Sequence, residues 1–331
     1  MNYSFIIPVY NRPDEIDELL ESLITQNFNQ SFEVVVVEDG STITCKHIIE
    51  KYTNKLDISY FFKPNSGPGD SRNFGMKHAK GDYFIILDSD CIIPSQYLSE
   101  VDKCLATEFV DCFGGPDAAL DSFSDIQKAI NITMTSFLTT GGIRGGSEKL
   151  SKFQPRSFNM GISKKAFEAS NGFGKIHPGE DPELTIRLWK LGFETRLFPE
   201  AFVYHKRRID WKKFYTQVNK FGKARPILNQ RYPEFTKITY WFPTLFLVYI
   251  VISVFLLLIN IKTLFFIGVL YFILLFFQAV YKEHKIKIGF LTIISTLIQF
   301  YGYGIGFLIS SFKLKVLKQK PEIAMPEMFF K

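Results

Sequence analysis

The chain has 331 residues, of which 47% are hydrophobic and 35 are phenylalanine, and its formal net charge is +6. The charge is unevenly spread, because residues 1–204 carry 20 basic and 28 acidic side chains whereas residues 205–331 carry 19 and 5. A basic segment could bind nucleic acid, but the long apolar stretches beside it favour a membrane surface, so we expect no nucleic-acid partner.

The four cysteines, Cys45, Cys91, Cys104 and Cys112, form no CxxC pair and have no metal-ligand spacing. This usage is typical of a reducing compartment. The first residues contain no basic region followed by a long apolar run, so we expect no signal peptide. The N-terminal part of the chain is therefore expected in the cytosol.

The first hundred residues alternate between short apolar runs and amphipathic stretches. The runs that predict strands are 3–8, 32–37, 58–62 and 83–87, and the stretches that predict helices are 13–23, 43–52 and 72–79. This alternation predicts an α/β fold with a mostly parallel sheet flanked by helices. In such sheets, ligands bind beyond the carboxyl ends of the strands.

The following residues are less regular. They contain a glycine-rich loop at 141–146, predicted strands at 157–163 and 201–204, a predicted helix at 182–191 and a basic, aromatic helix from 211 to about 230. Gly192 stands where a C-terminal glycine ends a helix. The basic helix could hold phosphates or lipid headgroups, or be a solvated face beside a membrane.

Two apolar stretches, 240–260 and 263–281, have the length of a bilayer's hydrocarbon core and predict a tight helical hairpin with both basic flanks in the cytosol. Residues 288–312 are also apolar, but the glycines at their centre are poor helix formers. We expect a re-entrant or surface-lying hairpin there, which returns the basic tail to the cytosol. A third crossing is the alternative.

Two carboxylates, Asp88 and Asp90, directly follow the predicted strand at 83–87. Two hard oxygen ligands beside an open position suit Mg²⁺ or Mn²⁺ bridging a diphosphate. The alternative is an ordinary turn or a helix cap. His205 follows the strand at 201–204 and is either a structural residue or a third metal ligand.

Glu38 and Asp39 follow the second predicted strand. A carboxylate at this place can accept hydrogen bonds from a nucleotide base or ribose; alternatively, Asp39 forms a turn and caps the next helix. Further along, the glycine-containing turn that begins at Gly67 could place Arg72 near a phosphate.

Glu180 and Asp181 open the predicted helix at 182–191. One interpretation is structural, with Asp181 as the helix cap and Pro182 at the first helical position. The other is catalytic, because a sugar hydroxyl is a poor nucleophile until a base withdraws its proton. A capped helix start can also hold a base rigidly, so the two roles are compatible.

Taken together, these motifs resemble family 2 glycosyltransferases of the GT-A fold. The matching segments are Ser4 to Asn11, Val35 to Ser41, Gly67 to Asn73, Gly81 to Tyr83 leading to Asp88 and Asp90, Phe158 to Gly161, Gly172-Phe173, and Gly179 to Asp181. Their order and spacing fit over roughly the first two-thirds of the chain.

The resemblance implies an inverting enzyme with a UDP-, GDP- or dTDP-sugar donor and Mg²⁺ or Mn²⁺ as cofactor. It assigns Asp39 to the nucleotide base, Asp88 and Asp90 to metal and diphosphate, and Asp181 to the catalytic base, and it makes Pro8, Tyr10 and Arg72 donor-site residues. Beside these we expect Asn11 and Glu38 at the donor site and Glu180 at the catalytic centre. The QxxRW motif of processive polysaccharide synthases is absent, which favours single additions.

The resulting organisation has four parts. Residues 1–205 form a GT-A nucleotide-sugar-binding domain, 206–238 basic interface helices, 239–312 a membrane hairpin with a re-entrant or third segment, and 313–331 a basic cytoplasmic tail. We expect a multi-pass protein of the cytoplasmic (inner) membrane that contacts membrane lipids and keeps its catalytic domain in the cytosol.

The acceptor follows from chemistry. A polyprenyl phosphate is already anionic and needs no base, whereas a sugar hydroxyl does, so a base at Asp181 favours a glycan or lipid-linked glycan as acceptor. Three alternatives remain: a polyprenyl-phosphate glycosyltransferase, a nucleotidyltransferase, and a non-enzymatic membrane scaffold. A nucleotidyltransferase would carry a Gly-rich basic loop where this chain has residues 8–13, and a scaffold leaves the acidic clusters unexplained.

Overall fold

The computed structural model describes residues 1–141, 153–206 and 210–330. Within these ranges the chain forms two compact units. The sheet unit contains residues 1–118, 153–206 and Phe330, and the helical unit contains 119–141 and 210–329. The sequence analysis placed residues 119–141 in the N-terminal domain, whereas the structure groups them with the helical unit. The four-part division of the chain stays a prediction.

The main sheet of the sheet unit is mostly parallel, as predicted. In the part of the chain that the structure describes, its strands are β1 (Tyr3–Val9), β2 (Glu33–Asp39), β3 (Asp57–Lys63), β4 (Tyr83–Leu87), β6 (Cys112–Gly114), β8 (Asn159–Ser163) and β9 (Thr195–Leu197). They lie in the order β3-β2-β1-β4-β8-β6-β9. Strands β1 to β4 are parallel neighbours, and β8 runs antiparallel to both β4 and β6.

Helices cover both faces of this sheet. They are α1 (Pro13–Ile24), α2 (Lys46–Ile49), α3 (Pro68–His78), α4 (Tyr97–Thr107), α7 (Lys164–Ser170) and α8 (Glu180–Lys190). Because side chains alternate along a strand, β1 contributes to two core layers: Ile7 packs in the layer of Leu19 from α1, and Ile6 in that of Met76 from α3. Burial on both faces explains why β1 and β2 are almost continuously apolar.

A second, small sheet lies in the same unit. It consists of β5 (Cys91–Ile92), β7 (Asp117–Ala118) and β10 (Val203–His205), in the order β5-β10-β7. β10 pairs antiparallel with β5, so that His205 lies opposite Cys91. It pairs parallel with β7, so that Val203 lies opposite Asp117. This sheet therefore brings three distant segments of the chain together.

The helical unit contains α5 (Asp125–Thr135), α6 (Phe137–Thr140), α9 (Trp211–Arg231), α10 (Phe242–Leu258), α11 (Thr263–Glu283), α12 (Ile286–Ser311) and α13 (Pro321–Ala324). Among the described residues, three helical stretches are long and apolar enough to cross a membrane: Ile238–Leu258, Thr263–Glu283 and Ile286–Val316. The first two correspond to the predicted hairpin.

The hairpin expected within residues 288–312 is wrong, because α12 is continuous from Ile286 to Ser311. Its glycines serve close packing: side chains at Gly302 and Gly306 would collide with Val218 and Asn219 of α9. On α9, a side chain at Gly222 would in turn collide with the backbone of α12. Small residues let helix backbones approach, and this contact outweighs the low helix propensity of glycine.

The observed bounds of two other helices also differ from the predicted ones. The helix expected at 43–52 shrinks to α2, and the one expected at 72–79 starts four residues earlier as α3, since Pro68 is a favourable first residue. Gly192, with φ of +85°, ends α8 as predicted. Most of the glycine-rich loop at 141–146 lies outside the described residues.

Candidate active site

The turn after β4 presents two carboxylates, each paired with an arginine. Nη2 of Arg72 donates to Oδ1 of Asp88 at 2.7 Å, and Nη1 of Arg12 donates to Oδ2 of Asp90 at 2.6 Å. The side chain of Asp88 is 32% exposed and that of Asp90 9%. The two acids that the sequence singled out therefore face different partners at the carboxyl end of β4.

Asp90 also faces His205. Its Oδ1 lies 3.3 Å from Nε2 of the imidazole, whose ring stacks on Phe158 with 4.7 Å between centroids. The ligand atoms of Asp90, Cys91 and His205 lie within 4.8 Å of one another. The thiol of Cys91 donates to the carbonyl of Phe158. A carboxylate and an imidazole fit a divalent cation, and the nitrogen ligand suits Mn²⁺ better than Mg²⁺, which prefers oxygens throughout.

Arg72 connects the acidic turn to the start of α8. Besides its bond to Asp88, its Nη1 donates to Oε1 of Glu180 at 3.1 Å. The arginine is 3% exposed, and its guanidinium lies 5.3 Å from the ring centre of Phe173. Burial alone would lower the pKa of Arg72, but the charges of Asp88 and Glu180 outweigh it and raise that pKa. Arg72 is thus a permanently charged link between the two acidic pairs.

The pKa values of the neighbouring carboxylates of Glu180 and Asp181 are shifted in opposite directions. Nδ1 of His177 lies 2.8 Å from Oε1 of Glu180. Burial would raise the pKa of Glu180, but His177 and Arg72 outweigh burial and lower it. Burial and the charge of Glu180 together raise the pKa of Asp181. Opposite shifts in adjacent carboxylates are typical of an acid–base pair with divided roles.

Asp181 is not the helix cap that one interpretation of the sequence required. Gly179, with φ of +122°, precedes the first helical residue, Glu180, and Asp181 is the second residue of α8. Within the described residues, Oδ1 of Asp181 is buried and has no hydrogen-bond partner. A buried carboxylate oxygen without a donor is available to a ligand's hydroxyl group.

Asp39 fixes the loop that leads into α3. Its Oδ1 accepts from Nζ of Lys63 at 2.6 Å and from the backbone of Ser66 at 2.9 Å, and its Oδ2 accepts from the backbone of Gly67 at 2.9 Å. The alternative that Asp39 caps the next helix is wrong, because α2 begins seven residues later, after Cys45. Asp39 lies at the carboxyl end of β2, on the predicted ligand-binding edge.

Glu38 and Asn11 stabilise the neighbouring loops. The buried carboxylate of Glu38 accepts from the backbone of Cys45 at 3.0 Å and from the hydroxyl of Tyr60. Oδ1 of Asn11 accepts from the backbone of Thr42 at 2.8 Å and of Ile43 at 3.0 Å. These bonds hold both side chains in the loops at the carboxyl end of the sheet, and a part in donor binding stays a prediction for each.

Two further predicted donor-site residues lie at the end of β1. Pro8 belongs to the strand ladder and pairs with Val37 of β2. Tyr10 follows the strand, and 52% of it is exposed. The large exposed ring of Tyr10 at the carboxyl end of the sheet is available for stacking.

Several residues of this region were missed by reasoning from the sequence. Arg12 and Lys63 stand at strand ends, and the rule that ligands bind there could have found them. His177 gave no signal, because its role depends on the backbone turn before α8. Phe330 packs its ring against Gly67, and its backbone donates to the carbonyl of Lys175 at 3.1 Å. Such a distant contact has no local sequence signature.

With this geometry in place, comparison with known proteins defines the class. The family model described as Glycosyl transferase family 2 matches residues 4–169, and the model described as Glycosyl transferase family group 2 matches residues 150–280. Since the first match covers half of the chain, the protein belongs to glycosyl transferase family 2. The resemblance inferred from the ordered motifs is confirmed.

Individual proteins are similar to this chain over stretches of very different length. The poly(ribitol-phosphate) beta-N-acetylglucosaminyltransferase TarS of Staphylococcus aureus (strain Mu50 / ATCC 700699) is 41% identical over 114 residues, which are 34% of this chain and 19% of TarS. The probable glycosyltransferase YdaM of Bacillus subtilis (strain 168) is 24% identical over 311 residues, 90% of this chain and 71% of YdaM. The chain thus covers less than a fifth of TarS.

Among solved structures, the mannosyltransferase PcManGT from Pyrobaculum calidifontis, in complex with GDP-Man and Mn²⁺, has a TM-score of 0.53 with 16% identity. The similarity covers 68% of this chain and 63% of that one. At this identity the likeness shows the fold alone. It agrees with the mostly parallel sheet and confirms the predicted GT-A type of α/β fold.

Proposed function

We propose that this protein transfers a sugar from a nucleotide-diphosphate donor to a hydroxyl group of a glycan or lipid-linked glycan, with inversion at the anomeric carbon. One observation carries the proposal: Arg72 links the acidic turn at Asp88 to Glu180, beside Asp181. This contact would keep the proposed donor site close to the proposed base, and an in-line displacement needs its reactants held close together in a fixed orientation.

Family membership supports the donor class, a UDP-, GDP- or dTDP-sugar. On the donor side, Asp88, Asp90 and His205 would hold Mn²⁺ or Mg²⁺, which when bound neutralises charge on the departing nucleoside diphosphate. Asp39 and the loop it holds would contact the base, and Tyr10 would stack beside it.

On the acceptor side, Asp181 is the general base. Its carboxylate takes the proton of the acceptor hydroxyl, and the resulting oxygen forms a bond to the anomeric carbon while the bond from that carbon to the diphosphate breaks. The diphosphate leaves with the bonding electrons, and the proton remains on Asp181. Glu180 stays ionised; its charge raises the proton affinity of Asp181, and it holds Arg72 in place.

A hydroxyl acceptor is also supported by similar proteins. TarS and the poly(ribitol-phosphate) beta-glucosyltransferase of Bacillus spizizenii (strain ATCC 23059 / NRRL B-14472 / W23) both act, by name, on poly(ribitol-phosphate), a polymer with hydroxyl groups. The latter is 37% identical over 102 residues, 30% of this chain and 16% of that protein.

The location is part of the same proposal. The three long apolar stretches would span the cytoplasmic membrane, and the lysines around α9 and after α12 would face its anionic inner leaflet. Catalysis would then take place on the cytosolic side, where nucleotide sugars are made.

The test uses the full chain in detergent or lipid discs and a panel of nucleotide sugars, with lipid-linked glycans and polyprenyl phosphate as acceptors. Asp181→Asn should abolish transfer and leave donor affinity nearly unchanged, because only the proton acceptor is removed. Asp14→Asn, at an exposed position of α1, is the matched control and should behave as wild type. If Asp181→Asn still transfers sugar to polyprenyl phosphate, the polyprenyl-phosphate alternative is correct and the base assignment fails.

A further inference from the structure

Neither the ordered motifs nor the proposed mechanism uses Arg12. It lies between β1 and α1, at the edge of the sheet where ligands of such folds bind. Its Nη1 lies 2.6 Å from Oδ2 of Asp90 and 3.8 Å from Oε1 of Glu15. The guanidinium thus occupies one oxygen of the carboxylate that a divalent cation would need.

The two arginines of the network differ in how firmly they are held. Arg72 is 3% exposed and bonded to two carboxylates through separate nitrogens. The side chain of Arg12 is 29% exposed, and one nitrogen carries its bond to Asp90. A buried, doubly bonded guanidinium is fixed, whereas a partly exposed one can exchange partners at low cost.

Charge makes such an exchange necessary. A divalent cation between Asp90 and His205 would repel a guanidinium held to the same carboxylate. The donor would bring a diphosphate to this edge of the sheet, and a guanidinium binds phosphate oxygens in bidentate fashion. Glu15, one helical turn away on α1, keeps the displaced side chain close to the site.

We propose that Arg12 binds the diphosphate of the donor, and that it neutralises Asp90 only until a divalent cation takes its place. This inference rests on the proposed function, because it requires a nucleotide-diphosphate donor. It makes Arg12 a donor-binding residue whose partner changes between the metal-free and the loaded site.

The experiment measures two affinities on the full chain in detergent. The affinity for Mn²⁺ without nucleotide is measured by electron paramagnetic resonance of the free ion, and the affinity for UDP, GDP and dTDP in turn, at saturating Mn²⁺, by calorimetry. Arg12→Gln should bind Mn²⁺ roughly tenfold more tightly, since a competing charge is gone. The same variant should bind the preferred nucleotide about tenfold or more weakly, since a phosphate partner is gone. Arg12→Lys should fall between.

The control is Arg196→Gln, which removes an arginine paired with Glu108 and should match wild type in both measurements. Unchanged or weaker Mn²⁺ binding by Arg12→Gln would overturn the inference, because Arg12 would then only orient Asp90. Unchanged nucleotide affinity would overturn it as well. A wild-type chain that binds none of UDP, GDP and dTDP with Mn²⁺ contradicts the proposed function itself, and that result is seen before any variant is made.

Discussion

Glu180 and Asp181 are adjacent in the chain, yet their surroundings shift their pKa values in opposite directions. Glu180 faces His177 and Arg72, which stabilise its charge, whereas one carboxylate oxygen of Asp181 is buried and the residue lies beside that charge. The first carboxylate is therefore a fixed anion, and the second can exchange a proton under conditions where its neighbour cannot.

The pH dependence of transfer should report the raised pKa of Asp181. The base must be ionised to accept a proton, so kcat/KM should fall as pH drops through a value above that of an ordinary aspartate. Glu180→Gln removes the negative neighbour and should move this acid limb to lower pH, although overall activity falls because Arg72 loses a partner. An acid limb that stays in place or moves upward in Glu180→Gln would contradict the coupling.

Arg72 and Arg12 should differ in their contribution to stability. Removing Arg72 leaves the buried charge of Glu180 without its arginine, and breaking a buried pair costs about 3–5 kcal/mol. Arg12 is more exposed, and breaking its pair should cost roughly 1 kcal/mol or less. Thermal unfolding of Arg72→Gln and Arg12→Gln in detergent compares them directly. Equal losses of stability in the two variants would show that the buried ion pair of Arg72 contributes no more to stability than the more exposed pair of Arg12.

Asp117 should support His205 as a metal ligand. Its Oδ2 lies 3.9 Å from Nδ1 of His205, and its side chain is 2% exposed. A carboxylate that accepts a hydrogen bond from a ligating imidazole orients the ring, and its loss typically lowers metal affinity about 10- to 100-fold. At 3.9 Å Asp117 acts on His205 through its charge alone, so we expect an effect of about tenfold or less. Asp117→Asn should therefore weaken Mn²⁺ binding, and His205→Ala should weaken it more. Should only His205→Ala have an effect, Asp117 has no such positioning role.

Packing of α9 against α12 should depend on glycine. A side chain at Gly222 would collide with the backbone at Tyr303, so Gly222→Ala should lower stability by about 1–3 kcal/mol through overpacking. The control is Gly268→Ala on α11, where the added carbon meets only the hydroxyl end of Tyr249 at 2.9 Å. Thermal unfolding in the same detergent should rank Gly222→Ala well below the control. The reverse order would contradict the close approach of the two backbones.

The sheet was predictable because its signals are local. β4 coincides with the predicted strand at 83–87, and β1 to β3 differ from prediction by one or two residues at an end. Runs of Val, Ile and Phe bounded by polar turns are sufficient for this, and the strand-end rule then indicated Asp39, Asp88 and Asp90.

What the sequence could not provide was pairing across long distances. Arg12 meets Asp90 across 78 positions, and Arg72 meets Glu180 across 108. Such contacts depend on the finished tertiary structure and have no periodicity to detect. For the same reason, the glycines of α12 predicted a break: their packing against α9 is visible only when both helices are in place.

The central claim is that Asp88 and Asp90 bind the donor's diphosphate through a divalent cation. It is tested most directly by sugar transfer and nucleotide binding in the double variant Asp88→Asn, Asp90→Asn, with and without Mn²⁺. The substitutions keep the size of both side chains and remove their charge. The account predicts that transfer is lost and that Mn²⁺ no longer strengthens nucleotide binding; transfer at the wild-type rate would contradict it.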